Sequence, residues 1–371
     1  MASDQTNATQ ITTSPTKATY MEQAIINNDR EYLRHFWHPV CTVTELEKAH
    51  PSSLGPIGVK LLNEQLVVAK LGGEYVAMHD RCAHRSAKLS LGMVANDRLQ
   101  CPYHGWQYDT QGACKLVPAC PHSPIPNRAK VQRFDCEERY GLIWVRLDSS
   151  FACTEIPYFS AANDPRLRVV IQEPYWWSAT AERRWENFTD FSHFAFIHPG
   201  TLFDPNNAEP PIVPMDRFKG QFRFIYDTPE DMAVPDQAPI GSFSYTCSMP
   251  FAINLEVSKY TSKSLHVLFN VSCPVDDQTT KNFLLFAREQ ADDSDYLHIA
   301  FNDLVFAEDK PVIESQWPKD APADEVSVVA DKVSIQYRKW LRELKEAHKE
   351  GAQAFRSALL DSVIESDRSY T

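Results

Sequence analysis

Two short stretches, Cys82-Ala-His84 and Cys101-Pro-Tyr-His104, constrain this chain more than anything else in it. Each places one thiol and one imidazole within a few residues of each other, and sixteen residues separate the two. Four such side chains could hold one zinc ion. Structural zinc sites more often draw two cysteines from one turn and two histidines from another. Mixed pairs suit a two-iron, two-sulfide cluster, with one iron held by two thiolates and the other by two imidazoles. Neutral imidazoles add less negative charge than thiolates, so such a cluster is easier to reduce. Pro102 and Gly105 favour a tight loop, and Trp106 is placed to shield the cluster. The pattern reads as an entry or exit point for an electron, on Cys82, His84, Cys101 and His104.

The rest of the chain provides a setting for that centre. Its 371 residues lead us to expect two domains. Residues 1–19 are polar and read as a disordered tail without the apolar segment of a signal peptide. Residues 20–150 read as a short helix followed by strands and turns, with a hairpin at Gly72-Gly73 and a strand over Gly141–Leu147. Residues 151–371 mix helices and strands. A helix is expected from about 179 to 197, capped by Ser178 or Thr180 and stopped by Pro199-Gly200. A long loop over 203–240 follows. An antiparallel meander over 250–290 comes next, with Phe251, Ile253, Leu255 and Val257 on one face. Helices are expected around 295–316 and from about 330.

Net charge of -12 argues against binding nucleic acid through its phosphates. No run reaches the ~18 apolar residues a membrane span needs. Nine cysteines without framework spacing fit reduced thiols in a cytoplasm, Cys114 and Cys120 included. Neither GxGxxG nor GxxxxGK[ST] occurs, so electrons from NAD(P)H have to arrive through another protein.

The stretch Cys82-Ala-His84-Arg85 with Cys101–Trp106, followed by a helix bearing Asn187, Asp190, His193 and His198, resembles the Rieske non-haem iron oxygenases. The resemblance spans nearly the whole chain after the tail. It implies an α+β protein: an all-β Rieske [2Fe–2S] domain, then a helix-grip (START/Bet v 1-like) catalytic domain with an antiparallel sheet. His193 and His198 are five residues apart, about 140° around a straight helix, so both reach one metal only if the helix ends or distorts near them. Two histidines and one carboxylate make a facial triad that leaves Fe(II) open to O2 and substrate. By resemblance the carboxylate is Asp309, with Glu308 and Asp303 as competitors. Asp190, three residues before His193, can accept a hydrogen bond from a ligand imidazole. In the family the matching Asp links the cluster histidine of one subunit to an iron histidine of its neighbour, which implies a homotrimer. Asn187 matches a position near the iron.

Longer stretches, among them Tyr32–Leu46 and Arg183–Phe218, look like the cyanobacterial Rieske oxygenases of saxitoxin biosynthesis. That likeness implies hydroxylation of a bis-guanidinium alkaloid, using O2 and a separate reductase or ferredoxin. Asp227, Glu230, Asp231 and Asp236 offer carboxylates for such a cation. Three other readings stand beside it: a Rieske oxygenase that hydroxylates or demethylates an aromatic acid or ether, an electron carrier without mononuclear iron, and a zinc-stabilised binding module. Phe188, Phe191, Phe194 and Phe196 read as core more than as substrate clamps. The remaining histidines lack paired metal spacing and read as structural or exposed.

Overall fold

The computed structural model describes residues 30–50, 54–202, 209–210, 212–227, 240–259, 265–289, 294–361 and 363–364. A short 3-10 helix, Glu31–His35, leads into β1 (His38–Thr42). Thr42 then caps the one-and-a-half-turn helix α1 (Val43–Lys48): its hydroxyl accepts from the Glu45 N–H while the Glu45 carboxylate accepts from the Thr42 N–H. Strands β2 (Ile57–Leu61), β3 (Glu64–Leu71) and β4 (Glu74–His79) form a meander. Its β3–β4 hairpin turns at Gly72-Gly73, where both residues have positive φ.

Four short strands, β5 (Met93–Ala95), β6 (Arg98–Gln100), β7 (Gln107–Tyr108) and β8 (Cys114–Leu116), make a second sheet. Then β9 (Arg133–Arg139) and β10 (Leu142–Arg146) return to the first sheet, giving the order β1-β10-β9-β4-β3-β2. This half is all β apart from its short helices, as its alternating apolar runs and frequent turn residues lead one to expect.

The second half is dominated by a nine-stranded antiparallel sheet. It comprises β11 (Leu167–Ile171), β12 (Tyr175–Trp177), β13 (Asp216–Phe218), β14 (Gln221–Asp227), β15 (Ile240–Ser248), β16 (Ala252–Lys259), β17 (Leu265–Pro274), β18 (Thr280–Glu289) and β19 (Val363–Ile364). The expected meander is β16-β17-β18, and β15 and β14 extend it. Part of the segment read as loop over 203–240 is therefore strand. In β14 Phe222, Phe224 and Tyr226 are buried and the residues between them are not, an alternation that the apolar but exposed Ile225 obscures in the sequence.

The helices are α2 (Ala181–Thr189), α3 (Phe194–Ile197), α4 (Asp295–Ser315), α5 (Lys332–Glu350) and α6 (Ala352–Leu360). One core runs between the halves: Leu142 and Trp144 of the first sheet pack with Val267, Phe269 and Phe283 of the large one. The protein is α+β, with an N-terminal β domain and a sheet-rich C-terminal domain. No helix among the described residues is long and apolar enough to cross a membrane.

His38 anchors β1 in this interior. Its Nε2 lies 2.9 Å from the Leu33 carbonyl and its ring faces Phe251. Burial outweighs that hydrogen bond and lowers its pKa from 6.5 to about 4. The unfolded chain therefore takes up the proton first. The stability His38 carries is complete above pH 6.5 and is lost as pH falls towards 4. Such a shift is worth about 3 kcal/mol in full. Denaturant unfolding of the wild type between these limits should show that loss, and His38→Gln should lack it. Equal pH slopes in the two proteins would rule it out.

Candidate active site

Two centres emerge, one in each half. In the β domain, Cys82 and His84 lie in the loop after β4, and Cys101 and His104 in the loop between β6 and β7. The loops close alike: the Ser86 N–H donates to the Cys82 carbonyl at 3.0 Å, and the Gly105 N–H to the Cys101 carbonyl at 3.1 Å. Gly105 has φ of 69°, and a Cβ there would sit 3.1 Å from Pro118 Cγ, so glycine serves both the turn and the close approach.

The thiols of Cys82 and Cys101 are buried, whereas His84 and His104 are exposed, with ring centroids 4.6 Å apart. The two thiols thus share the inner side and the two imidazoles the outer side. A cluster with one iron on two thiolates and the other on two imidazoles requires that pairing. Trp106 stacks flat on His84, with centroids 4.6 Å apart. The hydroxyl of Tyr108 lies 3.1 Å from Cys82 Sγ, within reach of a polar contact to the sulfur. Cys114 and Cys120 are both free thiols.

The second centre depends on a break in the expected 179–197 helix. Thr180 caps α2, as expected, by accepting from the Arg183 N–H. The helix stops at Thr189 because Asp190 leaves helical geometry. The Asp190 carboxylate accepts from the N–H groups of Ser192 and His193, at 3.1 and 3.0 Å, which competes with continued helix. One turn later α3 ends at His198, ahead of Pro199. This restart removes the 140° problem. Ligand atoms of His193, His198 and Asp309 all lie within 4.8 Å of one another.

The remaining bonds around these three side chains organise them. His193 Nδ1 is 2.8 Å from Asp190 Oδ2, and His198 Nδ1 is 2.7 Å from Glu308 Oε2. Each imidazole is thereby held with Nε2 turned to the centre, 3.5 and 3.1 Å from Asp309 Oδ1. His198 Nε2 is buried and makes no well-directed hydrogen bond, as suits an atom that faces a metal. Asn187 Nδ2 donates to Asp309 Oδ1 at 3.1 Å. Burial alone would raise the Asp309 pKa; the imidazole of His198, with Nε2 3.1 Å away, and the cation of Arg184 outweigh that and hold it below the usual carboxylate range. Burial would lower His198, but Asp309 and Glu308 together hold it above its ordinary value. Glu308 is thus a partner of His198, a role its competition with Asp309 for one ligand position did not suggest. Asp303 is exposed and bonds Gln172 instead.

These residues open on a cavity of about 440 Å³ between the large sheet and α4. Its walls are mostly apolar: Phe188 and Phe194 near the centre, Phe243, Tyr245, Leu255, Val257 and Leu268 from the sheet, and Phe301, Val305 and Phe306 from α4. Phe188 and Phe194, read as core, are therefore wall residues. Phe191 is core, stacked on Tyr226, and Phe196 is exposed. His266 and His298, read as structural or exposed, also line the cavity, with ring centroids 5.2 Å apart. Asp227 is exposed at the end of β14 and is not among the lining residues. Glu230, Asp231 and Asp236 lie outside the described residues. Among those described, Asp309 is the only carboxylate of the wall.

Residues 36–135 match the Rieske [2Fe-2S] domain, and residues 177–347 match the vanillate O-demethylase oxygenase C-terminal domain. The chain belongs to the Rieske non-haem iron oxygenases: an enzyme that uses a [2Fe–2S] cluster and a non-haem iron, with electrons supplied from outside.

Within that family it is 91% identical over 350 residues to the methylxanthine N1-demethylase NdmA of Pseudomonas putida, covering 94% of this chain and 100% of that protein. It is 50% identical over 345 residues to the methylxanthine N3-demethylase NdmB of the same organism, covering 92% of this chain and 97% of that protein. The solved structure of Pseudomonas putida CBB5 NdmA with caffeine superimposes with a TM-score of 0.90 at 91% identity, covering 92% of this chain and all of that one. Neither relative is named as a toxin hydroxylase: the resemblance to the Rieske non-haem iron oxygenases holds, and these relatives show no link to saxitoxin enzymes.

Proposed function

We propose that this enzyme removes a methyl group from a ring nitrogen of a methylxanthine, and that caffeine at N1 is the reaction to test first. The observation that carries this reading is 91% identity over the full length of an N1-demethylase. The cavity supports it. A methylxanthine is planar, aromatic and uncharged, and aromatic and aliphatic walls suit such a ring. A bis-guanidinium cation needs carboxylate partners, and the one carboxylate among the described wall residues is turned to two histidines.

In this reading His193, His198 and Asp309 hold the iron, and Cys82, His84, Cys101 and His104 hold the cluster. The iron supplies the centre at which O2 is reduced beside the substrate. Asp190 and Glu308 keep the imidazoles in one orientation, and the apolar walls exclude water and present one N-methyl group. Overall, N–CH3, O2, two electrons and two protons become N–CH2OH and water. The carbinol C–N bond then breaks, releasing formaldehyde and leaving N–H. The electrons come from NAD(P)H through a separate reductase. We also infer that the cluster of one subunit serves the iron of its neighbour through Asp190, in a trimer. In support, Asp190 is partly exposed while bonded to His193, and His84 and His104 face outwards.

Anaerobically purified protein should hold about three irons and two sulfides per chain. Given O2, a reductase and caffeine, it should form theobromine and formaldehyde in equal amounts. Turnover of aryl methyl ethers with no methylxanthine product would favour O-demethylation instead. Glu308→Ala is expected to weaken Fe(II) binding by about 10–100-fold in titrations of iron-depleted protein while sparing the cluster spectrum. Unaltered Fe(II) affinity would remove Glu308 from the site.

A further inference from the structure

Arg184 of α2 is fully buried, and among the described residues no carboxylate pairs with it. Its guanidinium lies among four rings, 4.6 Å from the centroid of Trp177, 4.8 Å from Phe188, 5.1 Å from Phe306 and 5.7 Å from Tyr175. Burying a cation away from any carboxylate is costly, and an aromatic box offsets only part of that cost. Its hydrogen bonds go to the Tyr175 hydroxyl, at 2.8 and 3.1 Å, and to Asn187 Oδ1, at 2.9 Å. Arginine only donates, so Asn187 must turn its oxygen towards Arg184. The amide nitrogen is then left to face Asp309 Oδ1, an acceptor only, at 3.1 Å.

The charges point the same way. Asp309 and the two carboxylates behind the histidines, Asp190 and Glu308, bring three negative charges to the centre. A divalent ion supplies two positive charges. Arg184 is the third.

We propose that Arg184 is a positioning residue for the iron: a buried cation that, through Asn187, orients Asp309 and completes the charge balance of the ferrous site. This rests on the reading of His193, His198 and Asp309 as ligands. A fixed positive charge disfavours ferric over ferrous iron, and a hydrogen bond to the ligand oxygen weakens its donation to the metal. Arg184 therefore raises the ferric/ferrous midpoint potential of the mononuclear site.

The test is an anaerobic redox titration of the intact holoenzyme, following the high-spin ferric signal and the cluster signal separately by EPR. Arg184→Met should shift the mononuclear midpoint downwards and leave the cluster midpoint where it was. Arg184→Lys, which keeps the charge, should stay near wild type. Asn187→Ala, which cuts the relay but leaves the arginine in its box, should also shift downwards. A wild-type midpoint in folded, iron-loaded Arg184→Met would overturn the proposal. If that variant does not fold, an unshifted midpoint in Asn187→Ala overturns it. A ferric signal that survives in the His193→Ala/His198→Ala double variant would instead overturn the ligand reading on which the proposal stands.

Discussion

Asp309→Ala is expected to reduce oxygenase turnover, assayed as the proposed demethylation, by about a thousandfold or more, with the [2Fe–2S] cluster intact. A metal centre contributes several kcal/mol to a reaction of this kind, and each ~1.4 kcal/mol is a factor of ten in rate. Asp309 is the only carboxylate among the described cavity residues, so none of those residues can take its place. The loss should be more than kinetic. Iron content should fall by about one per chain while sulfide content and the Rieske EPR signal hold. Retention of both the iron and the rate would show that the facial carboxylate lies elsewhere. Glu308, already engaged by His198 Nδ1 and the Thr201 hydroxyl, would then be the next residue to change.

Cys101→Ala should have the opposite signature. One thiolate is not enough to hold the buried iron of the cluster, and an exposed imidazole pair does not compensate. The visible chromophore and the Rieske signal should both vanish, and turnover should fall to background because electrons no longer reach the second site. Fe(II) should still bind at His193, His198 and Asp309, at about one per chain. A variant that stays coloured and turns over caffeine would mean that the cluster is not held as the loop geometry indicates. Together the two variants separate electron delivery from the chemistry at substrate.

Some of this was open to reading from sequence because the physics is local. Four candidate cluster ligands within twenty-three residues announce themselves by spacing, since each pair is set by one tight turn. The cap at Thr180 and the stop at Pro199 are local as well. The break at Asp190 is equally local, yet the expected helix runs straight through it. An Asp at that position suggests a side-chain partner for an imidazole, but its carboxylate also takes two backbone N–H groups and ends the helix.

The substrate side was far less legible. Leu255 and Val257 stand out as one face of a strand, but alternation does not tell whether that face meets core or cavity. Asp227 and the acidic residues after it matter only if the substrate is a cation, and the cavity that forms uses none of the described members. His266 and His298 are 32 positions apart on a strand and a helix, and no spacing rule joins them.

The sequence by itself thus marked out the two cysteine–histidine turns and His193 and His198 as candidates, because turns and helix ends are fixed by neighbouring residues, and the fold class followed from the family resemblance. Only the tertiary structure decided that Glu308 backs His198 while Asp309 faces the centre, that a mostly apolar cavity opens there, and that Arg184 is buried behind it. Those facts depend on how α2, α4 and the large sheet pack, and packing brings together residues that nothing in the chain order relates.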